Sequence, residues 1–160
     1  MSHKILLSPI FQNSEFDSNA RRRGLDELSE FGELVYYNRE LSGEDAEGVI
    51  GVIANSAWIY ESFYDAAKDL RIVARWGVGY EKVNLDLATQ QGVIVTVAPE
   101  HLDTVAEYTI AQWMATLKRL FTLNRLSHEG DFSIIRTFEA KGSTLGLYGF
   151  GRIGQAVAQR

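Results

Sequence analysis

Gly149-Phe150-Gly151-Arg152-Ile153-Gly154 sets three glycines in the G-x-G-x-x-G spacing, after the apolar run Thr144-Leu145-Gly146-Leu147-Tyr148 and before Gln155-Ala156-Val157-Ala158. A strand, a tight turn and a helix start in that order make a cradle for a pyrophosphate. Gly149 permits the turn, Gly151 lets the backbone approach a phosphate, and Gly154 lets the helix pack close to the strand. The phosphate would then rest on the free amides and positive dipole end of the new helix. Arg152 either adds charge there or is solvated in the first turn. The alternative for the whole segment is a bare strand-to-helix turn.

A second glycine pair lies in Ala74-Arg75-Trp76-Gly77-Val78-Gly79-Tyr80, after the run Ile72-Val73. At the carboxyl end of a parallel strand, two glycines around one valine leave consecutive amides free, an anion-binding concavity suited to a carboxylate. Ala54-Asn55-Ser56-Ala57 follows another apolar run, and Asn55 is placed to donate to the same anion. Both loops read equally as plain turns. Reactive side chains are scarce elsewhere: zero cysteines exclude disulfides, thiolate metal sites and cysteine nucleophiles. His3 and His128 lack the helical or loop context of a general acid and read as surface residues.

Apolar, β-branched runs at 5–7, 34–36, 49–53, 72–74 and 93–97 predict strands. Between them, helical spacing predicts helices over 15–31, 60–68 and 85–91, the last stopped by Gly92. Strand and helix alternate, and the strands are apolar almost throughout. That pattern predicts an α/β domain over residues 1–98: a flavodoxin-like, doubly wound parallel sheet covered on both faces. Pro99 interrupts the alternation, and a long helix is expected over 104–126. Thr104 and Glu107 have the S/T-x-x-E spacing of a capping box, and Ala106, Ile110, Trp113, Met114, Leu117 and Phe121 form one apolar stripe, read as core packing. Residues 127–143 read as an irregular connection, and 144–158 as the first strand, turn and helix of an incomplete Rossmann domain spanning 99–160.

The chain has 160 residues, of which 46% are hydrophobic and 23% charged. That is enough for one domain and part of a second, but not for two full α/β domains. Sixteen Lys plus Arg against 21 Asp plus Glu leave a net charge of −5. The basic cluster Arg21-Arg22-Arg23 sits among acids, which argues against a nucleic-acid partner. No apolar run approaches the ~20 residues of a membrane span. Without a signal-like apolar segment at Met1-Ser2-His3-Lys4, a cytoplasmic protein is the expectation.

The two loops, the expected capped helix and the glycine fingerprint occur together, in this order, in the D-isomer-specific 2-hydroxyacid dehydrogenases, and the chain resembles that family. The matching stretches are 70–80, 92–96 through 104–109, and 144–158; the first 48 residues match only in overall pattern. The resemblance implies that Val78 and Gly79 offer amides to a substrate carboxylate, with Asn55 on the opposite loop. His101 falls where some relatives line the cleft with a polar residue, although it reads equally as a surface histidine. The resemblance also implies that Thr104 lies near a cofactor, NAD or less expectedly NADP, and that Arg152 and Ile153 face its pyrophosphate. Glu81-Lys82-Val83-Asn84 departs from the family's usual Asp-Asn-hydrophobic-Asp run, which bears on local packing.

In the family an arginine that orients the keto acid and a histidine–glutamate proton relay lie downstream of the fingerprint, so no catalytic residue is assigned within these 160. The implied parent activity is hydride transfer between NAD(H) and a 2-keto acid or D-2-hydroxy acid. These residues are read as an N-terminal portion, inactive by itself and forming a homodimer through the 104–126 helix. The rival expectation is a short, non-catalytic binding or dimerisation module.

Overall fold

A computed structural model describes residues 3–16, 18–99 and 101–160. The expected lead-in at Met1-Ser2 and position 17 of the expected first helix lie outside the described residues. Five strands, β1 (Lys4–Leu7), β2 (Glu33–Tyr36), β3 (Val49–Ala54), β4 (Ile72–Arg75) and β5 (Ile94–Val97), pair in the order β2-β1-β3-β4-β5. Every pairing is parallel. This is the flavodoxin-like order, with its topological switch between β1 and β3.

Side chains alternate across a strand, so register decides what each face is made of. Val35, Leu6, Val52, Val73 and Val95 stand opposite one another in a row across all five strands. Helices α2 (Glu61–Ala66) and α3 (Leu85–Gln90) supply Phe63, Tyr64 and Ala88 to the core on that face. Tyr64, Phe63 and Leu41 are fully buried, each worth about 1.5–3 kcal/mol of apolar transfer. Local chemistry places the helices. The Asn84 side chain caps α3 by accepting from the Leu87 amide at 3.0 Å, and Gly92 turns the chain away at φ 68°.

The opposite face is covered by α1 (Asn19–Ser29), capped by Ser18, whose hydroxyl accepts from the Arg21 amide at 3.1 Å. Leu25 and Leu28 pack there on Ile5 and Leu7. The cover does not reach β4 and β5: Ile72 is 37% and Ile94 62% exposed, beside an apolar hollow of about 260 Å³ that includes Leu28, Phe31, Ile50 and Ala74. The expectation of a sheet covered on both faces therefore holds fully on one side only.

The chain divides into two compact units, Met1–Pro99 and Glu100–Arg160. In the second, α4 (Leu102–Leu117), α5 (Leu120–His128) and α6 (Arg152–Gln159) are helical. The expected single helix over 104–126 is two helices, parted where Arg119 takes a left-handed φ of 51°. The Leu117 carbonyl, released from the helical ladder by that break, accepts from the Phe138 amide at 2.9 Å. Nor does Thr104 cap: α4 begins at Leu102 with His101 as its N-cap and no side-chain cap bond. Thr104 thus falls inside the first turn. Residues 144–148, expected as a strand, pair with no strand among the described residues. Tyr148 is completely exposed. A strand without a partner has no ladder to satisfy its backbone, so the apolar run forms no strand here. Helix α6 packs on α4, burying Val157 and Ala106.

Candidate functional site

All five strands end at one edge of the sheet, which brings the loop after β4 and the loop after β3 side by side. The loop after β4 is tied down at both ends. The Trp76 amide donates to the Ala54 carbonyl at 2.8 Å, and the Gly77 carbonyl accepts from the Ala98 amide at 3.0 Å. Gly77 sits at φ 124°, a conformation that L side chains rarely adopt. Among the described residues, the Val78 and Gly79 amides donate to no protein group. Two adjacent free donors are thereby held by a fixed turn, an arrangement of the kind that receives anions in proteins.

Two charges flank the concavity. The Arg75 guanidinium donates to the Ala54 carbonyl at 3.3 Å and to the Trp76 carbonyl. It lies 3.6 Å from where a Gly77 side chain would begin, so a cation sits against the loop. On the other side the Glu81 carboxylate comes within 2.8 Å of where a Gly79 Cβ would stand. Phe11, buried after β1, meets the Trp76 ring edge-on with centroids 5.0 Å apart and an interplanar angle of 73°. The sequence marks neither Arg75 nor Phe11 as a site residue, and it marks Glu81 only as part of a departure that bears on local packing. For Arg75, a charge in the last strand position beside the glycines was the available signal; the other two are tertiary contacts.

Asn55 is half-buried at the start of the loop after β3. Further along, the Leu41 amide donates to the Trp58 carbonyl at 2.9 Å. Lys82 Nζ donates to the Ser56 carbonyl and stacks over the Trp58 ring at 5.6 Å. Lys82 thereby stitches the two loops together. Burial holds the Tyr37 phenol above its ordinary range, opposed by hydrogen bonds from the Asn55 backbone and the Ser8 side chain and by the Arg75 charge.

In the second unit the glycine fingerprint keeps its geometry although no paired strand precedes it. Gly149 turns at φ 97°, and a Cβ on Gly154 would lie 2.5 Å from the Gly149 carbonyl oxygen. Gly151 is the N-cap of α6, without a side-chain cap, and a Cβ there would meet nothing within 4 Å. The first-turn amides at Arg152, Ile153 and Gly154 are therefore open to a ligand. Arg152 is exposed and Ile153 half-buried. An uncapped helix start behind a glycine turn has the form of a phosphate cradle. Thr104 and His101 are both exposed at the start of α4. That turn is linked to the carboxyl end of α6, where Arg160 bonds Asp103 at 2.7 Å and lies 3.6 Å from Glu107. No cluster of His, Cys, Asp or Glu among the described residues suits a metal, and no helix of theirs is long and apolar enough to cross a membrane.

Residues 15–156 match the profile of the D-isomer specific 2-hydroxyacid dehydrogenase catalytic domain. The chain belongs to the D-isomer specific 2-hydroxyacid dehydrogenase family. The glyoxylate reductase of Korarchaeum cryptofilum is 31% identical over 154 residues, covering 86% of this chain and 46% of that protein. That of Thermococcus kodakarensis is 31% identical over 156 residues, with the same shares covered. The NADPH-dependent glyoxylate/hydroxypyruvate reductase of Sinorhizobium meliloti, solved with NADP and malonate, superposes with a TM-score of 0.74 at 30% identity, over 99% of this chain and 50% of that one. The NAD-dependent formate dehydrogenase of Staphylococcus aureus, solved with NAD, shares the fold with a TM-score of 0.82 at 23% identity, over 98% of this chain and 52% of that one. This dehydrogenase-family chain spans about half the length of the curated relatives it matches.

Proposed function

We propose that residues 1–98 form the substrate-binding domain, and residues 99–160 part of the nucleotide-binding domain, of an oxidoreductase that transfers a hydride between NAD(H) and a 2-keto acid or D-2-hydroxy acid. The observation that carries this reading is the pair of unengaged amides at Val78 and Gly79, held by Gly77 with the Arg75 guanidinium against their loop. The names of the relatives, glyoxylate reductases in both cases cited, support a small keto acid such as glyoxylate. Val78 and Gly79 hold its carboxylate, Asn55 donates to the same group, and His101 is the remaining substrate residue. Gly149, Gly151, Arg152, Ile153 and Gly154 hold the cofactor's pyrophosphate, and Thr104 lies near the cofactor. When bound, the nicotinamide ring supplies or accepts the hydride. This chain's own groups bind and orient: two amides fix the carboxylate, so the adjacent carbonyl carbon is presented in one direction.

Carbonyl reduction also needs a proton donor beside the carbonyl oxygen. No pair of an imidazole and a carboxylate is found among the described residues, so these 160 residues alone are inactive in this account. The purified chain is expected to give no steady oxidation of NADH or NADPH with glyoxylate, pyruvate or hydroxypyruvate. Sustained oxidation would contradict the assignment of the donor to other residues. NADP is the alternative cofactor, and the same assay with both nucleotides in the enzyme carrying this domain separates them.

We further propose a homodimer through the second unit. Tyr108 is 64%, Phe121 68% and Phe132 84% exposed, and in this proposal a second copy covers that aromatic surface. Light scattering at micromolar concentration is expected to give twice the chain mass; a monomer would overturn this part.

A further inference from the structure

Among the described residues, three cations stand at the end of β4 or in the loops that follow β1 to β4: Arg39, Arg75 and Lys82. Each is engaged within the protein. The Arg75 guanidinium donates to the Ala54 and Trp76 carbonyls. Lys82 Nζ donates to the Ser56 carbonyl and lies over the Trp58 ring, and Arg39 pairs with Asp45 at 2.9 Å. Glu81 is different. Its side chain is exposed and its carboxylate is bonded to no protein group among the described residues. Yet Oε2 lies 2.8 Å and Oε1 3.4 Å from where a Gly79 Cβ would stand. A Cβ and an amide nitrogen are each one bond from the same Cα, so this carboxylate lies within about 6 Å of the Gly79 amide.

The free amides of Val78 and Gly79 offer dipoles for one carboxylate, and Glu81 offsets the Arg75 charge on the other side of the loop. A second negative group on the same ligand finds no unengaged cation in these loops, and Glu81 repels it. We propose that Glu81 is a specificity-determining residue: it holds the site to keto acids with a single negative charge and disfavours those that carry a second carboxylate or a phosphate. This rests on the carboxylate site proposed above and narrows its substrate class. A unit charge at about 4 Å in water changes affinity roughly fivefold, and that is the expected size of the selection.

Oxamate and oxalate are nearly alike in size and shape and differ by one charge at neutral pH, so the ratio of their affinities isolates the second charge. Both are titrated into the ¹⁵N-labelled chain and followed by NMR at the Val78 and Gly79 amides. The wild-type chain prefers oxamate. Glu81→Gln reduces that preference about fivefold, because it tightens oxalate more than oxamate. Glu27→Gln removes a charge near the end of α1 that leads back to the opposite edge of the sheet; it leaves the ratio as it is, which separates local charge from net charge. If oxamate does not move the wild-type Val78 and Gly79 amides, the carboxylate reading fails, and the role of Glu81 with it. If oxamate moves them but oxalate binds the wild-type chain as tightly, or Glu81→Gln tightens both ligands equally, Glu81 does not select and the carboxylate site stands. The same change of ratio in Glu27→Gln also overturns the role. Should Glu81→Gln not fold, the wild-type chain still decides: a preference that does not shrink between about 0.05 and 0.5 M salt is not electrostatic and overturns it.

Discussion

Replacing Gly154 by alanine should loosen α6, although alanine is ordinarily the better helix former. The new Cβ would stand 2.5 Å from the Gly149 carbonyl oxygen, a backbone atom that cannot swing aside. Non-bonded atoms are comfortable near ~3.5 Å, so the glycine turn and the helix must part by roughly 1 Å. Overpacking of this kind costs about 1–3 kcal/mol. Against it stands a helix-propensity gain of at most ~1 kcal/mol for Gly→Ala, smaller in the first turn. The clash wins by on the order of 1 kcal/mol, about a fivefold rise in local opening. Because α6 packs on α4 with Val157 and Ala106 buried, amide exchange at positions 156–159 reads that opening directly. Gly151→Ala is the control: its Cβ meets nothing within 4 Å, and the cost is the N-cap preference alone, up to about 1 kcal/mol. It should leave α6 exchange nearly unchanged but block the approach of a phosphate. Exchange at 156–159 that slows in Gly154→Ala would refute the close packing of turn on helix.

Glu81→Gln should tighten binding of oxamate or glyoxylate several-fold, because it removes a negative charge beside Gly79. An exposed charge at this range is worth about 1 kcal/mol, and affinity that stays the same or weakens would argue against an anion there. The pH dependence concerns the phenols. Burial raises Tyr37 and Tyr64 above the ordinary 10.0, so the unfolded chain ionises them first as pH climbs. The stability they allow is complete below about pH 10 and is lost as pH rises through the folded values. The thermal midpoint should thus be level from about pH 7 to 9 and fall above 10, with a shallower fall in Tyr37→Phe; identical profiles would show that this phenol is not buried.

The first unit was legible because its strands write themselves in one dimension. Runs such as Val49-Ile50-Gly51-Val52-Ile53 are apolar on both faces, as buried parallel strands must be, and Gly92 marks a helix end through its positive φ. The glycine loop was legible for a similar reason: Gly77 is a backbone requirement that shows as a residue type. The second unit was less so. No glycine or proline announces the break at Arg119; the stripe of 104–126 is periodic straight across it. The Thr104–Glu107 spacing imitated a cap, yet the first turn already begins at Leu102. An apolar run at 144–148 states a preference for a strand but not the presence of a partner. Tyr37, Ser8 and Phe11 act through contacts that join β1, β2 and the loops after β3 and β4, and such contacts exist only once the sheet order is known.

The central claim is that the turn after β4 is an anion site built on Gly77. The most direct measurement is a titration of the ¹⁵N-labelled chain with oxamate, following the Val78 and Gly79 amides in wild type and in Gly77→Ala. A side chain at φ 124° costs about 1–3 kcal/mol and displaces the turn. Both amides should shift together and saturate in wild type, and the response should weaken at least about fivefold in the variant. Amides that stay still in a folded wild-type chain, or respond equally in both proteins, would contradict it.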